Sequence, residues 1–270
     1  MSDIIKGNGW LSEPTGVVTA TIKCESWTAF IDFLHDNQTL KLNNTYCFRG
    51  HASENWELKP TLKREFEKNK VVDTKAAEKD ILNEFKKYCL GRRGHNPAHL
   101  DENEWWALGQ HFGLKTPLLD WSESPYVAAF FAFNSDAHHT ENITIWMLAK
   151  TINSFPELSK IKADYHIEFL RPYLDENARL INQRGLFVRT PDMMCINEWF
   201  LSLSKEHYIG LAKILIPASE KRYALDSLDK MNINHLTLFP DLTGSAEYAN
   251  YQMIEQIKKN STMITPTPTI

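Results

Sequence analysis

Apolar residues recur at helical spacing in some stretches of the chain and alternate with polar ones in others. In WTAFIDFLHD, residues 27–36, Trp27, Phe30, Ile31 and Leu34 share one face of a helix that Ser26 is placed to cap. Between Lys75 and Leu90, the stripe Ile81, Leu82, Phe85 and Tyr88 or Cys89 predicts a second, longer helix. NNTYCFRGH reads differently: the asparagines suit a turn, and Tyr46 and Phe48 belong to a buried strand ending at Gly50. An apolar-polar alternation continues through Trp56, Leu58, Pro60 and Leu62.

The densest apolar stretch is NEWWALGQHFGLKTPLLDWSESPYVAAFFAF, residues 103–133. Trp105, Trp106, Leu108 and Phe112 predict a buried helix closed by Gly113, with Thr116 to Leu119 extended. Ser122 or Ser124 then caps a new helix with Pro125 in its first turn, and VAAFFAF, apolar nearly all round, belongs inside the domain. ITIWMLA (143–149) and AKILIP (212–217) predict strands, SEKRYALDSLDKM a surface helix, and SAEYANYQMIEQIKK a last amphipathic helix after the turn PDLTG. Helices and strands intermix without strand-helix repetition and without a glycine-rich strand-to-helix turn. The pattern predicts a single mixed α+β domain with a central, partly antiparallel sheet flanked by helices. The first dozen residues and the tail STMITPTPTI read as linker-like.

Composition narrows the function classes. The chain has 270 residues, 43% hydrophobic, enough to bury a full core. A net charge of -4 with interspersed lysines and arginines leaves no extensive basic face for nucleic acid, though a few clustered arginines still suit one phosphate group. Cys24, Cys47, Cys89 and Cys195 lie far apart, which disfavours a zinc knuckle or redox pair and fits buried, reduced thiols. No apolar run reaches the roughly 18 residues that span a bilayer, and no leader pattern opens the chain, so the expectation is a soluble cytoplasmic protein with no membrane partner. The exposed helices carry no heptads, which predicts a monomer.

Two polar knots stand out beside the arginine of CFRGH. Gln110, His111 and Asp120 accompany large aromatics, and Asp120 is placed either to cap the next turn and pair with a buried guanidinium or to serve a site. Glu176, Arg179 and Gln183 share a helical face, either as a solvated ion pair or as a cleft wall that recognises a phosphate or planar ring.

Phe48-Arg49-Gly50 with WELKPTL, then GQHFGLKTPLLDWSESPYVAAFFAF, NQRGLF, IPA and LFPDLTG together resemble the FRG domain, named for its phenylalanine-arginine-glycine signature. The resemblance runs from about Asn43 to about Ala249 and implies an N-terminal extension and helix over 1–42, the domain over 43–260 and a flexible tail over 261–270. It supplies no settled activity; relatives in bacteria and phages, near mobile or defence genes, imply a role in conflict, as a toxin or in phage defence.

The order of elements is also similar, more distantly, to mono-ADP-ribosyltransferases. That similarity implies Arg49 as a clamp on NAD phosphates, Gly50 as a point of close ligand approach, and His51 as a bond to a ribose hydroxyl. Gln110, His111, Ser122, Arg179 and Gln183 would line the pocket. A carboxylate would stabilise the cation formed as nicotinamide leaves; Asp120, Glu123, Glu168, Glu176 and Glu198 are the candidates, nothing in the sequence chooses among them, and Asp120 and Glu123 are carried forward as catalytic candidates. NAD is then a substrate, a macromolecular acceptor is unidentified, and no metal is expected. Three readings stay open: an NAD-using transferase or glycohydrolase, a nucleotide-sensing module without turnover, and a nuclease or phosphodiesterase needing His51, His111 and Asp120 to converge. A structural alternative makes Arg49 and Asp120 a buried, fold-locking salt bridge.

Overall fold

The computed structural model describes residues 4–14, 19–36, 45–135, 140–154, 165–172, 178–202 and 210–262. In chain order its elements are β1 (Ile5–Gly7), β2 (Trp10–Pro14), β3 (Thr19–Cys24), α1 (Trp27–Asp36), β4 (Tyr46–His51), α2 (Thr61–Lys68), α3 (Thr74–Tyr88), α4 (Glu102–His111), β5 (Leu118–Ser122) and α5 (Pro125–Asn134). There follow β6 (Asn142–Ala149), β7 (Glu168–Leu170), α6 (Ala178–Asn182), β8 (Gly185–Arg189), α7 (Ile196–Ser202), β9 (Leu211–Pro217), α8 (Lys221–Lys230), α9 (His235–Leu238) and α10 (Leu242–Thr262). The strands form one sheet in the order β1-β2-β3-β9-β6-β4-β5-β8-β7. Only β3 and β9 run parallel; the other neighbours are antiparallel. The chain is thus α+β, with a mixed sheet and helices around it, as the pattern predicts. Among the described residues no helix is long and apolar enough to cross a membrane.

Side-chain alternation feeds separate cores. Phe48, Ile143, Ile145, Ile214 and Ile216 pack with residues of α1, α5 and α8, where Phe130 and Phe133 are buried. Each such phenylalanine contributes about 1.5–3 kcal/mol by leaving water. Cys47, Leu119, Trp121, Trp146, Leu148 and Val188 pack with Trp199 and Phe200 of α7. A third cluster joins Leu62 and Phe66 of α2, Leu82 of α3 and Trp106 of α4 to Leu118 and Phe187.

The helix caps fall where the sequence places them, with one choice settled: Ser26 Oγ accepts from Ala29 N, and Ser124, not Ser122, caps α5 by accepting from Val127 N. Other expectations need correction. The first dozen residues are not linker: Trp10 is buried, sits edge-on to Phe33 at 5.3 Å and donates to Asp36 at 3.0 Å, which anchors the β1-β2 hairpin on α1. Phe112 is 74% exposed rather than buried, because α4 ends at His111 and the chain turns at Gly113, where φ is +90°. The segment from Thr116 enters a true strand, β5, that runs on to Ser122. The helix read through Gln183 stops at Asn182, and Gly185 opens β8. Most of the expected tail, 263–270, lies outside the described residues.

One feature of the register positions the site. β4 and β5 share a single pair, Phe48 with Ser122. Beyond it, Arg49, Gly50 and His51 pair only with β6, and Leu118 to Trp121 pair only with β8. The sheet therefore divides between its sixth and seventh strands, immediately beside Arg49.

Candidate functional site

The division opens into a cleft of about 490 Å³ lined by β4, β5, α2, α4, α5 and α6 and by the segment after α9. Alternation along β4 sends Arg49 and His51 to one face and Phe48 and Gly50 to the other. Gly50 lines the cleft, but its glycine character serves packing: a Cβ there would lie 1.9 Å from the Ala128 carbonyl of α5. The packing of α5 thus accounts for the glycine by itself, while the backbone of Gly50 still borders the cleft.

Arg49 Nε donates to His51 Nε2 at 3.2 Å, and Nη1 donates to the backbone carbonyl of Asp120. The Asp120 carboxylate stands 3.8 Å from Nη1 and is 65% exposed, against 23% for the arginine side chain. That geometry is not the buried lock of the structural alternative, because water shares the carboxylate. Burial pushes the Arg49 pKa below its usual value; Asp120 counters this and Arg64 adds to it. The guanidinium nevertheless keeps its charge at neutral pH.

His51 holds Arg49 as a neutral acceptor. Its Nδ1 lies 3.2 Å from the Trp56 carbonyl, and Trp146 Nε1 approaches the same atom at 3.3 Å. Burial first, then the charge of Arg49, pushes the His51 pKa down to about 3. With protein groups at both ring nitrogens, His51 orients the arginine, and its ring offers little to a ribose hydroxyl in this arrangement.

The other cations of the cleft differ in kind. Lys59 contacts Glu57 at 2.9 Å and Glu67 at 3.0 Å, and these bonds hold its ammonium above the ordinary lysine range. Arg179 donates through Nε to Asp241 at 2.8 Å and lies 5.4 Å over the Phe239 ring. Arg64, exposed on α2, makes no side-chain hydrogen bond or ion pair among the described residues. Sequence reasoning missed Arg64. Its only signal is Pro60 opening α2, which places residue 64 one turn into the helix.

The remaining expected residues also meet the cleft, with different freedom. Gln110 uses Oε1 to accept from Thr116, and Gln183 uses Nε2 to donate to the Leu238 carbonyl at 3.0 Å, so each amide keeps one polar atom. Ser122 spends its one donor hydrogen on the Gln183 carbonyl at 2.7 Å and accepts from Ser124 N at 3.0 Å. His111 is exposed and packs edge-on to Phe112. Trp56, Phe131, Phe187 and Phe239 supply aromatic wall.

Glu123 is the clear displacement. Its side chain, 8% exposed, pairs with Lys150 and Arg171 and is not among the residues lining the cleft. The catalytic role expected of it gains no support from this placement, since two cations already pair with its carboxylate. Glu168 bonds Asn103 at the sheet edge, and Glu198 accepts from Cys195 N. Glu176 lies outside the described residues. Asp120 and Glu57 are therefore the carboxylates lining the cleft among the described residues.

The segment that carries Arg49, Arg64, Gln110 and Asp120 is the part of the chain with a recognisable family. Residues 44–141 match the family model of the FRG domain. The FRG match spans β4, α2 to α4, β5 and α5, and so includes the division of the sheet and Arg49 itself. Arg179, Gln183 and Phe239 complete the cleft from outside the FRG match. No curated protein and no solved structure matches the chain.

Proposed function

We propose that the FRG region binds a nucleotide with a phosphate on Arg49, and that it acts on NAD as an ADP-ribosyltransferase-like transferase or glycohydrolase. One observation carries the reading: Arg49 is oriented by a neutral imidazole and a backbone carbonyl, so its charge faces the cleft with only a hydrated carboxylate at 3.8 Å beside it. A guanidinium held in this way is preorganised for an oxyanion. The amides of Gln110 and Gln183 and the aromatic walls suit the ribose and base of a nucleotide.

Asp120 is the carboxylate proposed to stabilise positive charge as the glycosidic bond to nicotinamide breaks. It is exposed and close to Arg49, so a phosphate on the arginine would bring the adjoining ribose near it. Incubating the full chain with NAD and measuring released nicotinamide tests this. Release is expected from the wild type, with a loss of about a hundredfold or more in Asp120→Asn. NAD binding without release would instead support the sensing module, a reading favoured by the commitment of the Ser122 hydroxyl and the removal of Glu123 from the cleft. The phosphodiesterase reading is weaker, since the ring of His51 is engaged at both nitrogens.

A further inference from the structure

The four cations of the cleft are not equivalent, and the difference points to a ligand charge. Lys59 is matched by Glu57 and Glu67, and Arg179 by Asp241. Arg64 makes no side-chain hydrogen bond or ion pair among the described residues, and Arg49 has only Asp120 at 3.8 Å as a charged partner. These two arginines stand on different elements, β4 and α2, and face the same hollow. Burial is the main cause of the lowered Arg49 pKa and the charge of Arg64 a smaller one, and an anion bound by both arginines would offset each.

We propose that Arg64 is the second anion-holding residue of the cleft, and that together with Arg49 it selects a diphosphate diester, each of whose phosphates carries one charge, over a nucleoside triphosphate. The inference rests on the nucleotide reading above and adds its charge class and a residue. A triphosphate would bring further charge toward walls that already hold Glu57 and Asp120, and could find more cations only by dissolving the pairs of Lys59 or Arg179. A diphosphate diester needs neither.

Arg64 also makes a clean test, because it is exposed and its removal leaves no partner stranded. Isothermal titration of the full chain with NAD, ADP-ribose and ATP at fixed ionic strength is the experiment, on the wild type, Arg64→Gln and Arg179→Gln. NAD and ADP-ribose are expected to bind more tightly than ATP, and Arg64→Gln is expected to weaken them by about tenfold or more. It should also flatten the fall of affinity with salt. Arg179→Gln should weaken them less than Arg64→Gln does. Wild-type binding of NAD that Arg64→Gln leaves unchanged, or tighter binding of ATP than of NAD, overturns this inference while the nucleotide reading stands. Failure of all three nucleotides to bind overturns both.

Discussion

A guanidinium in an apolar strand ordinarily finds a carboxylate, because an unmatched buried charge costs several kcal/mol. Arg49 has a neutral ring and a carbonyl instead, and the nearest carboxylate is largely in water. The arrangement fixes direction without neutralising charge. His51 is the residue whose ionisation would undo it. The imidazole of the unfolded chain takes its proton near pH 6.5, whereas the folded ring resists until about 3, so between these values the unfolded state binds more protons. Stability from this group is therefore greatest above pH 6.5 and falls as pH drops toward 3, by at most about 1.4 kcal/mol per unit. Denaturant midpoints compared at pH 5 and 7 should show a steeper loss in the wild type than in His51→Gln. His235, also lowered by burial, leaves a residual slope in both. Equal slopes would mean that the folded ring takes its proton as readily as the unfolded one, contrary to this account. At this scale Arg49 was legible from its place in an apolar strand, and Gln110, Asp120 and Gln183 from polar residues grouped among aromatics or along one helical face. Arg64 was not, since a basic residue on an exposed helix face looks the same whether it meets solvent or a ligand.

Packing of elements decides how Arg49 is presented. Gly50 lets α5 lie directly on β4, and a Cβ would meet backbone at 1.9 Å from Ala128 O and 2.7 Å from Ala132 N. Gly50→Ala is expected to cost about 1–3 kcal/mol or more, read by urea unfolding, and to weaken nucleotide binding by displacing the strand. Unchanged stability would contradict the close packing. Glu123 provides the opposite dissociation. Glu123→Gln strands Lys150, whose side chain is only 16% exposed, and should lower stability by about 1–3 kcal/mol while leaving nucleotide affinity unchanged. Lost affinity at full stability would return Glu123 to the site. The helices α1, α3 and α10 were readable because their apolar stripes run for several turns, and α5 because it is apolar nearly all round. α2 was not, as TLKREFEK buries only Leu62 and Phe66, and β8 was not, because GLFVR is too short for a period to emerge. Nor can periodicity show that β4 and β5 share one pair, since the register of strands distant in sequence is a tertiary property.

For the molecule as a whole, the sheet runs without interruption from the N-terminal hairpin, through the parallel β3-β9 pair, to the strands of the cleft. β3 brings Ala20, Ile22 and Cys24 into the same core as α5, so the residues before the FRG match are part of its support. Removing residues 1–26 should expose the edge of β9 and give an aggregated or unfolded product by size-exclusion chromatography and circular dichroism. A folded, monomeric product would instead make that segment an appendage. The account as a whole turns on whether the Arg49 charge is available to an anion entering the divided sheet. The most direct measurement is the 1H-15N resonance of Arg49 Nε during titration of the full chain with NAD. A saturable shift at Arg49, larger than any at the Asp241-paired Arg179, is the predicted result; an Arg49 signal that stays fixed while NAD binds elsewhere would contradict it.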